Sequence, residues 1–198
     1  MSAFDSDSDT ASATATTGGD AADGSSQAAS RSAAAGSARV ATSEALPAGH
    51  RLGPYEIQRV IGSGGFGIVY LAIDRSLERA VAIKEYLPVT HATRAADGGL
   101  ALRSTQCEAT FDAGLRSFVN EARLLASFDH PALVKVYRFG EGNGTAYMVM
   151  QFLEGKTLRE ILREQRQAGL PPPDESWLRS VLGPLTEALL VIHGEQCY

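Results

Sequence analysis

The hydrophobic pattern predicts a series of short strands from residue 52 onwards. β-Branched and aromatic residues, alternating in places with polar ones, fill five segments at residues 55–61, 68–73, 79–85, 134–139 and 146–152. Glycine-rich turns join the first two segments and the last two, which predicts two β-hairpins. The long connection at residues 88–110 shows no such pattern, and we expect it to be irregular.

The spacing becomes helical between the third and fourth predicted strands. Five apolar side chains recur every three or four residues there and define one face of a helix over residues 111–127. They are Phe111, Leu115, Phe118, Ala122 and Leu125. Further helices are predicted at residues 158–167 and from about 174 to 194, with a kink at 183–184, where glycine is followed by proline. Strands followed by helices indicate an α+β fold.

Residues 1–50 differ in composition from everything that follows. They consist mainly of Ser, Ala, Thr, Gly and Asp, with few large apolar side chains. Such a segment buries too little surface to offset the entropy lost when its backbone becomes ordered. We therefore predict a disordered tail at residues 1–50, followed by the folded part of the chain.

Charge and cysteine content argue against several classes of protein. The formal net charge is -5 and no basic stripe is interleaved with aromatic residues, so a nucleic-acid binder is not expected. Cys107 and Cys197 are far apart and lack metal-ligand spacing, which fits a reducing compartment. No apolar run approaches the ~18 residues of a membrane span, and the start does not resemble a secretory signal. We expect a cytoplasmic protein with no membrane segment in this stretch.

The glycine-rich turn at residues 62–67 has the spacing G-x-G-x-x-G, which is typical of two kinds of nucleotide site. In a dinucleotide-binding turn the glycines open a helix, and an acidic residue follows about twenty positions later. Here they open the strand-like run 68–71, and Leu87 occupies the acidic position. The other kind is a hairpin whose backbone closes over phosphates, which glycine permits because it has no side chain. Taken alone, the turn is explained equally well as a loop that binds nothing.

Two charged residues occupy positions where burial is expected. Lys84 ends the apolar run 81–83, and Glu121 borders the apolar face of the predicted helix. Since an unpaired buried charge is strongly unfavourable, a lysine on a strand and a glutamate on the next helix are expected to pair. The pair would direct the ammonium towards phosphates under the hairpin. Alternatively, Lys84 marks the end of a strand and Glu121 is a solvent-exposed residue at the edge of the helix. The nearby glycine-rich turn favours the first interpretation, in which the two residues form an ion pair.

Together these segments resemble the protein-kinase signature set. The resemblance rests on Ile-Gly-Ser-Gly-Gly-Phe-Gly-Ile-Val-Tyr at residues 61–70, on Val-Ala-Ile-Lys at 81–84 and on the helical Glu121. The segment 147–155 looks like that family's fifth strand and hinge, and the sequence from Lys84 to Pro88 with its long insert resembles a bacterial subgroup of serine/threonine kinases.

The resemblance implies a particular domain organisation. A kinase N-lobe with a five-stranded antiparallel sheet and a C-helix would extend over residues 51–155, including the hinge. Two helices of an incomplete C-lobe would follow at residues 156–198. The insert after Lys84 is longer than is typical of the family, so the resemblance does not indicate what it contacts.

The resemblance also implies roles for the matching residues. Lys84 would hold the α- and β-phosphates of ATP and Glu121 would orient it, so both are predicted catalytic residues. The predicted nucleotide-binding residues are Ile61, Gly62, Ser63, Gly64, Gly65, Phe66, Gly67, Val69, Ala82, Lys84, Met150, Gln151 and Leu153. Met150 would lie behind the adenine, and the backbone of Gln151 and Leu153 would bond to its edge. The implied cofactors are ATP and Mg²⁺, and protein substrates would contact the part of the C-lobe that is missing.

The family's catalytic loop is expected directly after residue 194. The motifs His-Arg-Asp and Asp-Phe-Gly, which supply the catalytic aspartate and a metal ligand, do not occur in the 198 residues. We therefore expect an ATP-binding portion of a protein serine/threonine kinase that contains no metal ligands and is inactive alone. The alternative is a non-catalytic kinase-like module that binds nucleotide or a partner. A coding sequence that continues into His-Arg-Asp after Tyr198 would favour the first, and a stop codon there the second.

Overall fold

A curled antiparallel sheet is the centre of the structure, a computed structural model that describes residues 43–194. Its strands are β1 (Arg51–Leu52), β2 (Tyr55–Gly64), β3 (Gly67–Asp74), β4 (Arg79–Tyr86), β7 (Val136–Gly142) and β8 (Thr145–Gln151). They are hydrogen-bonded in the order β1-β2-β3-β4-β8-β7. The five predicted strands are confirmed, and β1 adds two residues at one edge.

Among the described residues, three α-helices accompany the sheet, and all three were expected from the hydrophobic pattern. They are α1 (Glu108–Ser127), α2 (Leu158–Gln167) and α3 (Glu175–Gly194). Thr157 caps α2 through a reciprocal pair of hydrogen bonds with Glu160, which satisfies backbone donors at the start of the helix. Helix α3 is continuous through Pro184, and its leucines at 182, 185, 189 and 190 are exposed. Within residues 43–194, no helix combines the length and apolar character needed to cross a membrane.

The expectation of an irregular connection at residues 88–110 is wrong for part of this segment. Strands β5 (Ala92–Arg94) and β6 (Leu100–Leu102) form a separate two-stranded hairpin there. Its turn depends on Gly98, whose φ of +84° is a left-handed conformation that glycine adopts without a steric penalty. The Asp97 carboxylate accepts a hydrogen bond of 2.9 Å from the Gly99 amide and closes the turn. Strands of three residues are too short for a periodic pattern to reveal.

The predicted disordered tail at residues 1–50 differs from the structure at its C-terminal end. Leu46 is 4% exposed and packs among the buried side chains of the sheet. Its amide donates a hydrogen bond of 3.1 Å to the Tyr70 hydroxyl, and the Gly49 amide donates one of 2.7 Å to the Ile57 carbonyl. The composition predicted disorder because the segment contains few large apolar residues. The single Leu46 is nevertheless enough to anchor it to the sheet. Residues 1–42 lie outside the described residues.

The sheet has two buried faces, which we call inner and outer. The inner face packs on α1, where Phe111, Phe118 and Ala122 are buried against Tyr86 and Met148. The outer face is covered by the segment 43–50 and by the hairpin β5–β6, which we together call the outer clasp. Its buried side chains include Leu46, Ile57, Tyr70, Ile83 and Val149. Strand β4 contributes to both faces, since successive side chains of a strand point to opposite sides.

Candidate functional site

The register of the sheet brings several predicted nucleotide-binding residues onto its inner face. Lys84 lies opposite Val69 on β3 and opposite Met148 on β8. Ala82, two residues earlier, lies opposite Met150. Side chains at directly opposed positions of antiparallel strands project to the same face. Residues from three strands, β3, β4 and β8, therefore share one surface next to α1.

The glycine-rich turn lies at the end of the hairpin β2–β3, above this surface. Gly64 pairs with Gly67, which leaves Gly65 and Phe66 at the tip, and Phe66 is 80% exposed. A Cβ atom added at Gly64 or Gly65 would meet no atom within 4 Å. The space around the tip is therefore open to a ligand, as expected for a turn that closes over phosphates.

Gly67 has a different role from the glycines at the tip. A Cβ atom at this position would overlap the backbone carbonyl of Glu85, because β3 approaches β4 closely here. The Leu87 amide also donates a hydrogen bond of 3.2 Å to the Phe66 carbonyl across the same junction. The fold itself requires glycine at position 67, whatever the turn binds.

The remaining members of the turn lie along β2. Ile61 falls at an irregularity of the pairing between β2 and β3 and is 37% exposed. Gly62 pairs with Val69, and Ser63 pairs with Ile68. The irregularity shifts the inward and outward alternation of residues along β2 by one position. Gly62 and its partner Val69 therefore lie over the inner face.

Lys84 and Glu121 form the ion pair expected from the sequence. The Lys84 ammonium donates a hydrogen bond of 2.8 Å to a Glu121 carboxylate oxygen, and it lies 5.4 Å from the centre of the Phe118 ring. The side chains are 28% and 46% exposed, so the pair is less buried than expected. A lysine ammonium has three donors and Glu121 takes one of them, so an anion arriving from solvent can still be bound.

Packing between β4 and α1 sets the position of this ion pair. The Tyr86 ring lies 5.2 Å from Phe111 and 5.8 Å from Phe118, and its hydroxyl donates a hydrogen bond of 3.1 Å to the Phe111 carbonyl. A Cβ atom at Gly114 would overlap that hydroxyl, so glycine allows the helix to approach the strand. Glu121 follows Phe118 by three residues, on the same side of the helix, and is thereby directed at Lys84.

The predicted hinge residues lie at the end of β8. Met150 is partly buried against the inner core, whereas the Gln151 and Leu153 side chains are exposed. The Gln151 amide donates a hydrogen bond of 2.8 Å to the Lys135 carbonyl. The structure thus gathers Val69, Ala82, Lys84 and Met150 on one face, with Phe66 and Leu153 in solvent at its edges.

Sequence reasoning missed a second charge pair, on the outer face. Glu85 is fully buried, and its carboxylate accepts two hydrogen bonds from Arg94, of 2.8 and 2.6 Å, and one of 2.7 Å from the Tyr70 hydroxyl. Burial and the neighbouring Glu85 charge raise the pKa of Tyr70 far above its ordinary value. The same two causes raise the pKa of Tyr147 to about 12.

The sequence did contain a signal for the burial of Glu85. The alternation Val81, Ile83, Glu85, Leu87 places Glu85 on a buried face.

A cavity of about 340 Å³ also lies on the outer face, beside the clasp. Ile83, Tyr147 and Val149 contribute to its lining, and none of the predicted nucleotide-binding residues does. Across residues 43–194, no three His, Cys, Asp or Glu side chains are grouped so that they could hold a metal ion.

Comparison with known sequences points to one family. The model of the protein kinase domain matches residues 55–198. Serine/threonine-protein kinase pkn2 of Myxococcus xanthus is 38% identical over 143 residues, which are 72% of this chain and 14% of that protein. Serine/threonine-protein kinase PrkC of Bacillus subtilis is 38% identical over 110 residues, again 14% of the relative. The chain thus spans a small part of the length of these relatives.

Solved structures show the same likeness. The structure described as the apo form of PpkA-294 is 50% identical, with a TM-score of 0.71, and the match covers 77% of this chain and 53% of that one. The kinase domain of Mycobacterium tuberculosis PknI has a TM-score of 0.54 at 21% identity, which supports the fold alone.

Proposed function

This chain belongs to the protein kinase family, and we propose that it is the ATP-binding portion of a bacterial serine/threonine kinase that phosphorylates protein hydroxyl groups. The observation that carries the proposal is the 2.8 Å ion pair between Lys84 and Glu121, next to the open glycine-rich turn. Its bacterial relatives pkn2 and PrkC are serine/threonine kinases by name. The part of the inner face around the partly exposed Lys84 would hold the nucleotide.

The charges and shapes of the inner face suit ATP. The Lys84 ammonium offers a cation for the α- and β-phosphates, and Glu121 holds it on the side of α1. Val69 and Ala82 are apolar residues of the same face that would contact the adenine, and Met150 lies opposite Ala82. At the tip of the turn, Gly64 and Gly65 leave the backbone amides accessible to phosphate oxygens.

We expect the 198 residues to bind ATP without transferring its phosphate. Transfer needs a carboxylate to accept the substrate hydroxyl proton, and the His-Arg-Asp motif that supplies it in the family does not occur in this sequence. Mg²⁺ bound with ATP would neutralise phosphate charge, and the Asp-Phe-Gly motif that supplies a metal ligand in the family does not occur in this sequence. Incubation with radiolabelled ATP and a Ser/Thr-rich protein should give no labelling above background, and clear turnover would contradict this part of the proposal.

Nucleotide binding is tested by titrating the chain with a fluorescent ATP analogue. Lys84→Met removes a charge-assisted contact worth about 1.5–3 kcal/mol, so the dissociation constant should rise about 10- to 150-fold. Lys135→Met is the matched control, because the Lys135 ammonium pairs with Asp129 at 3.3 Å and both side chains are exposed. Equal affinity of the Lys84→Met variant and the unmodified chain would refute the proposed role of Lys84. A folded chain that does not bind the analogue would instead favour a non-catalytic partner-binding module.

A further inference from the structure

One guanidinium group joins the two parts of the outer clasp to the sheet. Arg94 donates to both carboxylate oxygens of Glu85, at 2.8 and 2.6 Å, to the Glu44 carbonyl at 2.9 Å and to the Gly98 carbonyl at 3.1 Å. Its own amide donates to the Glu44 carboxylate at 2.5 Å. The Arg94 side chain is only 12% exposed. A buried side chain with this many directed bonds can adopt essentially one position.

The segment before the sheet completes this network. The Glu44 carboxylate also accepts a hydrogen bond of 3.0 Å from the Thr93 hydroxyl and lies 3.7 Å from Arg103. Two residues later, the Leu46 amide bonds to the Tyr70 hydroxyl, which in turn donates to Glu85. Arg94 and Tyr70 therefore bond directly to the Glu85 carboxylate, and each of them is in turn held by the segment that contains Glu44 and Leu46.

Glu85 is the immediate neighbour of Lys84 on β4. Successive side chains of a strand point to opposite faces, so a fixed direction for Glu85 also fixes the direction in which Lys84 leaves the strand. The inner side of the strand is held by Tyr86, through its hydrogen bond to α1. Lys84 itself donates a single hydrogen bond, to the partly exposed Glu121 carboxylate, so its position depends on how firmly β4 is held.

We propose that Arg94 is a positioning residue for Lys84, acting through Glu85, and that the segment around Glu44 completes this support. The outer clasp then couples residues that precede the sheet to the nucleotide-binding face on the other side of β4. The role of this coupling in ATP binding rests on the proposed function. Placement of the Lys84 ammonium beside Glu121 is a separate consequence that needs no nucleotide.

The test compares Arg94→Met with Arg75→Met in the full 198-residue chain. Arg75 pairs with Glu56 at a similar distance of 2.6 Å, but on the surface, with its side chain 57% exposed. Both variants are first shown to be folded by circular dichroism, at a temperature well below their melting transitions. The rate at which an amine-reactive acylating reagent modifies Lys84 is then measured by mass spectrometry without nucleotide, followed by the affinity for the fluorescent ATP analogue.

A positioning role predicts faster acylation of Lys84 in the Arg94→Met variant, because the ammonium is no longer held against Glu121. A change of about two- to thirtyfold is expected for a residue that acts through a neighbour, with a similar loss of ATP-analogue affinity. Arg94→Lys should restore part of the effect, and Arg75→Met should leave Lys84 unchanged. Unaltered Lys84 acylation in folded Arg94→Met protein would overturn the inference. Substitution of a residue that only stabilises the fold would lower the melting temperature without changing the acylation of Lys84.

Glu44→Gln keeps the inference testable if Arg94→Met does not fold. It retains the pair between Glu85 and Arg94 but weakens the bonds from Thr93 and the Arg94 amide, so a smaller increase in Lys84 acylation is expected. No increase in this variant would contradict the proposal. If Lys84 acylation changes as expected but the unmodified chain does not bind the ATP analogue, the positioning of Lys84 stands and the proposed function fails.

Discussion

The two faces of strand β4 carry ion pairs with opposite properties. On the outer face, Glu85 is completely buried and receives three side-chain hydrogen bonds. On the inner face, one residue away, Lys84 makes one bond to a glutamate that is 46% exposed. The buried pair is rigid and closed to ligands, whereas the exposed pair leaves its ammonium accessible. One strand thus separates the charge that holds the fold from the charge that is available for binding.

This difference has an energetic counterpart. Removing one partner of a buried pair leaves an uncompensated charge and costs about 3–5 kcal/mol, whereas an exposed pair contributes about 0–1 kcal/mol. Substitutions on the outer face should therefore reduce stability, and those on the inner face should reduce binding with little effect on stability. The following experiments test this division.

The largest effect is expected for Arg94→Met. The substitution leaves the Glu85 carboxylate buried beside Tyr70 without its cation, so the free energy of unfolding should fall by about 3–5 kcal/mol. Urea denaturation monitored by circular dichroism measures the change. A loss below about 1 kcal/mol would remove the contrast between the two faces.

Gly67→Ala should give the next largest loss. The new methyl group overlaps the Glu85 carbonyl, and separating β3 from β4 should cost about 1–3 kcal/mol. Gly65→Ala is the control, since a Cβ atom there meets no neighbour within 4 Å. Equal stability of the two variants in urea would show that the approach of the strands at residue 67 is not required.

High pH should destabilise the outer face through its buried tyrosines. The folded-state pKa of Tyr147 is about 12, above the usual value of 10, mainly because of burial. The unfolded chain therefore loses this proton first, and stability should decrease between pH 10 and about pH 12, by up to about 1.4 kcal/mol per pH unit. Unfolding measured across this range should show a smaller slope for Tyr147→Phe, and identical slopes would contradict the assignment.

The smallest change in stability is expected for Glu121→Gln. The exposed pair with Lys84 contributes less than about 1 kcal/mol, so urea denaturation should be almost unchanged. Affinity for the ATP analogue should nevertheless fall, because Lys84 is no longer oriented. Glu175→Gln, which weakens the exposed pair with Arg179, should change neither measurement. A large loss of stability for Glu121→Gln would show that the inner pair also holds the fold.

The sequence predicted the sheet, α1 and the inner ion pair because each depends on a strong local pattern. Lys84 after an apolar run and Glu121 beside an apolar stripe both stand out against their neighbours. Arg94 does not, because it lies in a three-residue strand of a hairpin that is separate from the main sheet. Its role arises only when the segment around Glu44 folds across the sheet, and contacts between residues 50 apart leave no periodic signal.

The adjacency of Lys84 and Glu85 has a further consequence for folding. If β4 slipped by one residue against β3, Lys84 would enter the buried face and Glu85 would turn towards α1, so that each charge met the wrong surroundings. A strand made only of apolar residues, like those at 81–83, would tolerate a one-residue shift of register better. The two opposite charges therefore disfavour a misaligned pairing of β4 and help to specify the register of the sheet.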